Sequence, residues 1–207
     1  MRRRTRNGLL MAFCFVLLPV WVVLDHQLGG SLRQYIRQSA YPAGDWQKYH
    51  GKTFTVTEVI DGDTLDIDIP DGESANTRIR LIGVDTPETK HPTVSLMYYG
   101  PEATEFTTSL ALGKRVTVLL DTAGDQRGYY GRLLAYIQLP DGKILNAEII
   151  KNGYGYAYLN YSHGEFSAYQ RLMQQAIDKK AGLWENAARD QLPKWLRSKR
   201  PDLLRHP

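Results

Sequence analysis

The stretch Arg78-Ile79-Arg80-Leu81-Ile82-Gly83-Val84-Asp85-Thr86-Pro87-Glu88-Thr89-Lys90-His91-Pro92 decides how the chain is read. Its first half alternates, with Ile79 and Leu81 on one side and Arg78 and Arg80 on the other. That pattern predicts a strand from Arg78 to Val84. Pro87 fixes its own φ and pushes Thr86 toward an extended conformation, so Asp85-Thr86-Pro87-Glu88 leaves the strand as a turn. Within nine residues the strand end therefore delivers an arginine, an aspartate and a glutamate. Acidic oxygens beside arginines are what a hard metal ion and a phosphodiester both require of a site.

Upstream the period is also two. Phe54 and Val56, then Leu65, Ile67 and Ile69, alternate with Thr64, Asp66 and Asp68, as half-buried strands do. Ile60-Asp61-Gly62-Asp63-Thr64 joins these two strands, and Pro70-Asp71-Gly72 closes the second with turn chemistry. Three consecutive strands on short turns predict a curved antiparallel sheet. Downstream, Pro101 to Leu112 reads as a helix with proline in its first turn and Gly113 past its end. Arg115–Leu120 and Arg132–Gln138 read as strands, Ile144–Asn152 as a short helix. Ser162-x-x-Glu165 looks like a capping box opening a helix to about Lys180, with Phe166, Tyr169, Met173 and Ile177 inward. Five short strands with a helix between the third and fourth predict an α+β fold, a five-stranded Greek-key barrel of the OB type. The expected domain spans 53–187, preceded by a linker at 29–52 and followed by a basic tail at 188–207.

Charge is distributed unevenly along the 207 residues. Residues 1–24 hold four arginines and no acid, and residues 189–207 hold six Lys or Arg against two Asp. The formal net charge of +4 therefore sits at the ends, over a mildly acidic middle. A protein gripping nucleic acid through a broad basic face would look different, so phosphate binding must be local. The single cysteine, Cys14, rules out an intramolecular disulfide and a cysteine-based zinc site. His50, His91 and His163 are too scattered to suggest zinc. Arg2-Arg3-Arg4-Thr5-Arg6 followed by an apolar run from Leu9 to Leu24 is an export signal or a membrane anchor. The reading is a signal anchor, or a signal peptide if cut, over residues 1–28. Either way the arginines stay in the cytoplasm and the domain lies outside, tethered to the membrane or secreted.

Taken in order, these motifs resemble the thermonuclease family, the staphylococcal-nuclease-type domain. The matching residues are Ile60-Asp61-Gly62-Asp63-Thr64, Arg80, the run from Val84 to Pro92, and Tyr99-Gly100-Pro101-Glu102-Ala103. Tyr130-Gly131-Arg132, Ala135-Tyr136-Ile137 and Gly182-Leu183-Trp184 complete them. The likeness covers roughly Thr53 to Glu185. It implies Ca²⁺-dependent hydrolysis of DNA and RNA, best on single-stranded or unpaired regions, by a protein expected to be a monomer. It also implies roles. Asp63 and Asp85 resemble the carboxylate calcium ligands, and Thr86 the residue lending its backbone carbonyl. Glu88 resembles the general base and Arg80 and Arg132 the pair that neutralises the phosphate. Tyr130 resembles a tyrosine beside the nucleotide phosphate.

The physics of the residues agrees with those roles. Calcium takes six to eight oxygens in loose geometry, so two carboxylates and a carbonyl leave room for water and substrate. Rigid bidentate guanidiniums suit the charge that gathers on phosphoryl oxygens. An ordinary carboxylate holds a proton loosely for a general base, so Glu88 positioning the water is a competing role. Two departures from the family pattern stand out: the loop before Arg132 is one residue longer, and Tyr129 replaces a lysine. Among Tyr154, Tyr156, Tyr158 and Tyr161, Tyr158 and Tyr161 are the candidates for stacking on bases. The rival reading is a catalytically inactive barrel that binds nucleic acid or protein. Such a module has no need of every acid and arginine kept here.

Overall fold

The computed structural model describes residues 43–89 and 97–203. The proposed anchor, Cys14, most of the linker and the Lys90-His91-Pro92 end of the motif lie outside them. Helix α1 (Ala43–Tyr49) comes first, then β1 (Lys52–Asp61), β2 (Thr64–Ile67), β3 (Thr77–Leu81) and β4 (Val84–Asp85). After α2 (Gly100–Ala111) follow β5 (Arg115–Leu119), β6 (Leu133–Gln138), α3 (Leu145–Lys151), β7 (Tyr156–Ala157) and α4 (Phe166–Asp178). Two 3₁₀ turns, Gly182–Glu185 and Arg189–Gln191, lead to α5 (Lys194–Lys199).

Strands β1-β2-β3-β6-β5 close into a barrel. The ten residues of β1 serve two neighbours: Lys52–Thr55 pair with β5, and Val56–Asp61 with β2. Irregular register near Val56/Glu58 and Val59/Asp61 bends the strand between them, as bulges do at barrel corners. Closure comes from a parallel pairing of β3 with β6, Ile79 opposite Leu133 and Leu81 opposite Ala135. The alternation read from the sequence holds in β3, where Thr77, Ile79 and Leu81 are buried and Arg78 and Arg80 are not. Leu65, Ile67, Val116, Val118, Leu133, Ala135 and Ile137 fill the interior with them. Asn146 of α3 plugs one end: its side-chain oxygen accepts from Ile137 N at 3.0 Å and its amide donates to the Ile82 and Ala135 carbonyls.

The structure departs from the sequence reading at four places. The strand expected from Arg78 to Val84 breaks after Leu81. Gly83 turns the chain at φ +75°, and a Cβ there would collide with the His163 ring. Val84–Asp85 then pairs with Tyr156–Ala157 in a separate two-stranded sheet. The capping box is not formed; α4 begins at Phe166, its N-cap Glu165 makes no side-chain cap bond, and Ser162 is exposed. Tyr169, Met173 and Ala176 line its buried face, with Phe166 and Ile177 only half-buried. The third departure is at the start of the domain. Residues from Gly44 onward belong with the barrel, and Tyr49 is fully buried with its hydroxyl 2.9 Å from Thr77 Oγ1. Finally, the expected C-terminal tail packs onto the domain. Leu192, Leu196 and Leu203 are buried, because apolar residues at that spacing have an uncovered face to fill.

Candidate active site

Asp63 sits in the tight β1–β2 turn and is 2% exposed. A Cβ on Gly62 would meet the Thr86 side chain at 2.7 Å, so glycine is what lets the Thr86 segment press against this turn. Thr107 of α2 pins the turn from behind, donating its hydroxyl to the Gly62 carbonyl at 2.7 Å. Thr86 in turn donates its N–H (2.9 Å) and hydroxyl (3.1 Å) to Asp63 Oδ2, while Thr64 Oγ1 donates to Oδ1. These bonds tie the β1–β2 turn to the loop after β4. Two segments 23 residues apart become one wall.

Arg80, projecting from the outer face of β3, bridges the acids. Nη1 meets Asp63 Oδ1, and Nη2 donates to Asp85 Oδ1 at 2.6 Å and to the Val84 carbonyl at 3.3 Å. Asp85 can reach it because the Gly83 turn carries β4 off the barrel. Its second oxygen, Oδ2, accepts the indole N–H of Trp195 at 2.9 Å. The sequence reading missed this contact. The only signal for it was an aromatic residue in a segment read as a basic tail, and no spacing rule links positions 110 residues apart.

Arg132 stands at the mouth of β6, next to β3 through the parallel pairing, and lies within electrostatic reach of Arg80 and Asp61. Burial first, and then the charge of Arg80, hold its proton affinity below the usual arginine range. Its Nε is buried with no hydrogen-bond partner among the described residues. A buried guanidinium donor left unmatched beside a second arginine is a place for an anion. Arg78, by contrast, is committed to Asp66 by two bonds of 2.8 Å.

Glu88 lies three residues beyond Asp85, half-buried, with Oε1 accepting the Thr89 N–H at 3.2 Å. Tyr130 is 79% exposed, its ring under the Arg132 guanidinium at 5.7 Å and edge-on to the fully exposed Tyr129. Tyr158 packs edge-on against Trp195 and lies beside Tyr161, which is 73% exposed. The other two tyrosines of that run belong to the core: Tyr154 stacks on Phe106, and Tyr156 is buried.

Among the described residues no group of three His, Cys, Asp or Glu side chains gathers to hold a metal ion. The donors that the resemblance implies are Asp63, Asp85 and the Thr86 carbonyl. Both carboxylates already converge on one cationic centre, the Arg80 guanidinium, so their oxygens fit an oxygen-seeking cation at that same point.

A family model described as staphylococcal nuclease homologue matches residues 78–186. A thermonuclease of Staphylococcus hyicus is 37% identical over 139 residues, covering 65% of this chain and 77% of its own. A thermonuclease of Staphylococcus intermedius is 35% identical over 136 residues, with the same coverage. An uncharacterized endonuclease of Escherichia coli O157:H7 is 35% identical over 147 residues, 71% of this chain and 83% of that protein. Trp195 falls outside the residues that the family model matches.

Proposed function

The chain belongs to the family of staphylococcal nuclease homologues, and we propose that it is a calcium-dependent endonuclease hydrolysing phosphodiester bonds of DNA and RNA outside the cytoplasm. The observation that carries this reading is the pairing of Arg80, locked across two carboxylates, with Arg132, whose buried Nε has no partner. An acid pair suits a divalent cation and an unmatched guanidinium suits a phosphate. Few functions other than phosphodiester chemistry need both within one site.

In this reading Asp63, Asp85 and the Thr86 carbonyl hold Ca²⁺, which when bound supplies charge to polarise a phosphoryl oxygen and acidify a water. Arg132 receives the scissile phosphate with its unpaired donors. Arg80, which bridges Asp63 and Asp85 here, would be free to neutralise the same phosphate where a cation took over the charge of the acids. Both guanidiniums then face the charge that grows on the equatorial oxygens, a preorganised arrangement that favours the transition state over the substrate. Glu88 orients the attacking water and accepts its proton. Tyr130, Tyr158 and Tyr161 offer exposed faces to unpaired bases, giving sequence-tolerant grip. The acidic middle of the chain fits such local binding better than a broad electrostatic one.

Location follows from the N-terminal residues. Four arginines before the apolar run Leu9–Leu24 support a single membrane anchor, or a cleaved signal, with the domain outside. Intact mass of the chain from membrane and medium fractions distinguishes the two.

The decisive assay is degradation of single-stranded DNA and of RNA by the full chain, with Ca²⁺ and with a chelator. Cleavage that stops on chelation and returns with Ca²⁺ is the expected result. Intact, bound nucleic acid under both conditions identifies a binding module and overturns the reading.

A further inference from the structure

Trp195 has the placement of a functional residue in a segment outside residues 78–186, which the family model matches. Asp85 Oδ2 accepts its indole N–H at 2.9 Å, while Oδ1 accepts from Arg80 at 2.6 Å. One donor on each oxygen fixes the rotation of the carboxylate about its terminal bond, and the indole is the donor that stays when Arg80 turns to a phosphate. A carboxylate offers about four lone-pair sites, so each oxygen keeps one for a further partner. The indole is a neutral donor that cannot accept, so it orients Asp85 without adding a charge that competes with a cation. Its ring is itself held. Trp195 packs edge-on against Tyr158 at 5.0 Å and Tyr156 at 6.3 Å, and the buried Leu192 and Leu196 root the segment on both sides of it.

We propose that Trp195 is a positioning residue for the metal-binding carboxylate Asp85, which makes the C-terminal segment part of the catalytic unit. The inference rests on the reading of Asp85 as a calcium ligand given above. Partners that hold a ligating carboxylate from behind are typically worth about 10–100-fold in metal affinity or activity.

The test is Trp195→Phe in the full chain, which keeps a smaller aromatic ring against Tyr156 and Tyr158 and has no N–H to donate to Asp85. Calcium binding without nucleic acid is followed by calorimetry, alongside Tm in chelator and kcat and KM on single-stranded DNA. The expected result is a calcium Kd raised about 10–100-fold, an unchanged metal-free Tm and an unchanged KM. A parallel measurement needs no variant to fold. In the wild-type chain labelled with ¹⁵N-tryptophan, the Trp195 indole N–H signal moves in step with calcium saturation. A variant that binds calcium as the wild type does, or an indole signal that stays still while the wild-type chain saturates, overturns the proposal alone. A wild-type chain that binds no calcium overturns the calcium reading and this proposal with it.

Discussion

Arg127 grips Asp45 with both arms of its guanidinium, Nε to Oδ2 at 2.6 Å and Nη2 to Oδ1 at 2.7 Å. The same guanidinium also bonds Asp71, in the turn after β2. One cation in the loop before β6 thus ties α1 to the barrel, and its two carboxylate partners hold its proton more tightly than usual. Arg127→Met leaves two acids near each other with only Lys48, 3.9 Å from Asp71 Oδ1, as counter-charge. The expected loss is about 1–3 kcal/mol, between the cost of breaking a surface pair and a buried one. A urea titration reads it as a lower midpoint at unchanged slope.

Arg80→Ala and Arg132→Ala should each suppress turnover by about 10²–10³, the usual cost of removing a preorganised donor. Circular dichroism should show the fold retained in both. Arg132→Lys should recover little, because a point charge cannot reproduce the planar fork. Near-wild-type rates in both alanine variants would remove the guanidiniums from the mechanism.

Asp63→Ala should shift the calcium titration of activity to higher concentration. It also strips Thr86 N–H and Thr64 Oγ1 of an acceptor, so a stability loss of about 1–3 kcal/mol should accompany it. An unchanged calcium curve argues against a ligand role for Asp63, whatever happens to stability.

Tyr161→Ala and Tyr130→Ala remove exposed rings, so melting temperature should stay put while KM for single-stranded DNA rises. The scale is about 1–3 kcal/mol for each base stacked. Unaltered KM in both variants would mean that bases are gripped elsewhere.

Acid should weaken the fold before it touches the carboxylates. Burial keeps His163 neutral by lowering its proton affinity, with the Asp121 charge pulling the other way. Its Nδ1 lies 3.0 Å from the hydroxyl of Tyr136, which donates to Asp121 Oδ2 at 2.7 Å. Because the unfolded chain takes up the proton first, the stability His163 contributes is complete above about pH 6.5 and drains away as pH falls toward the depressed folded value. Melting curves at stepped pH should show that slope in the wild type, and His163→Phe should flatten it. An equally steep slope in the variant assigns the effect to other groups, His50 first.

What could be read from the chain beforehand was whatever depends on local period and turn chemistry. The alternation Ile79, Leu81 against Arg78, Arg80 gave the strand and its polar face, and the spacing of Leu65 and Ile67 gave its neighbour. The order of acids and arginines pointed to Asp63, Arg80 and Asp85, which the structure brings into contact because short turns bring their strand ends together. What stayed hidden depended on partners distant in sequence. The Gly83 break is set by the His163 ring 80 residues later, and two-residue strands such as Val84–Asp85 carry too little pattern to see. Leu192, Leu196 and Leu203 looked like scattered apolar residues in a basic segment until the surface they cover was in view. Ser162 and Glu165 matched a capping motif by spacing, but the turn from His163 to Phe166 takes the chain into the helix instead.

The parallel seam between β3 and β6 sets when this molecule becomes competent. Arg80 is carried by β3 within the β1–β2–β3 hairpins, whereas Arg132 is brought beside it through the pairing of β6 with β3 that closes the barrel. A nascent or partly unfolded chain carries every acid and one guanidinium without the second in place. A lesion that opens that seam would therefore part the two guanidiniums even where the pairing of β1, β2 and β3 survives.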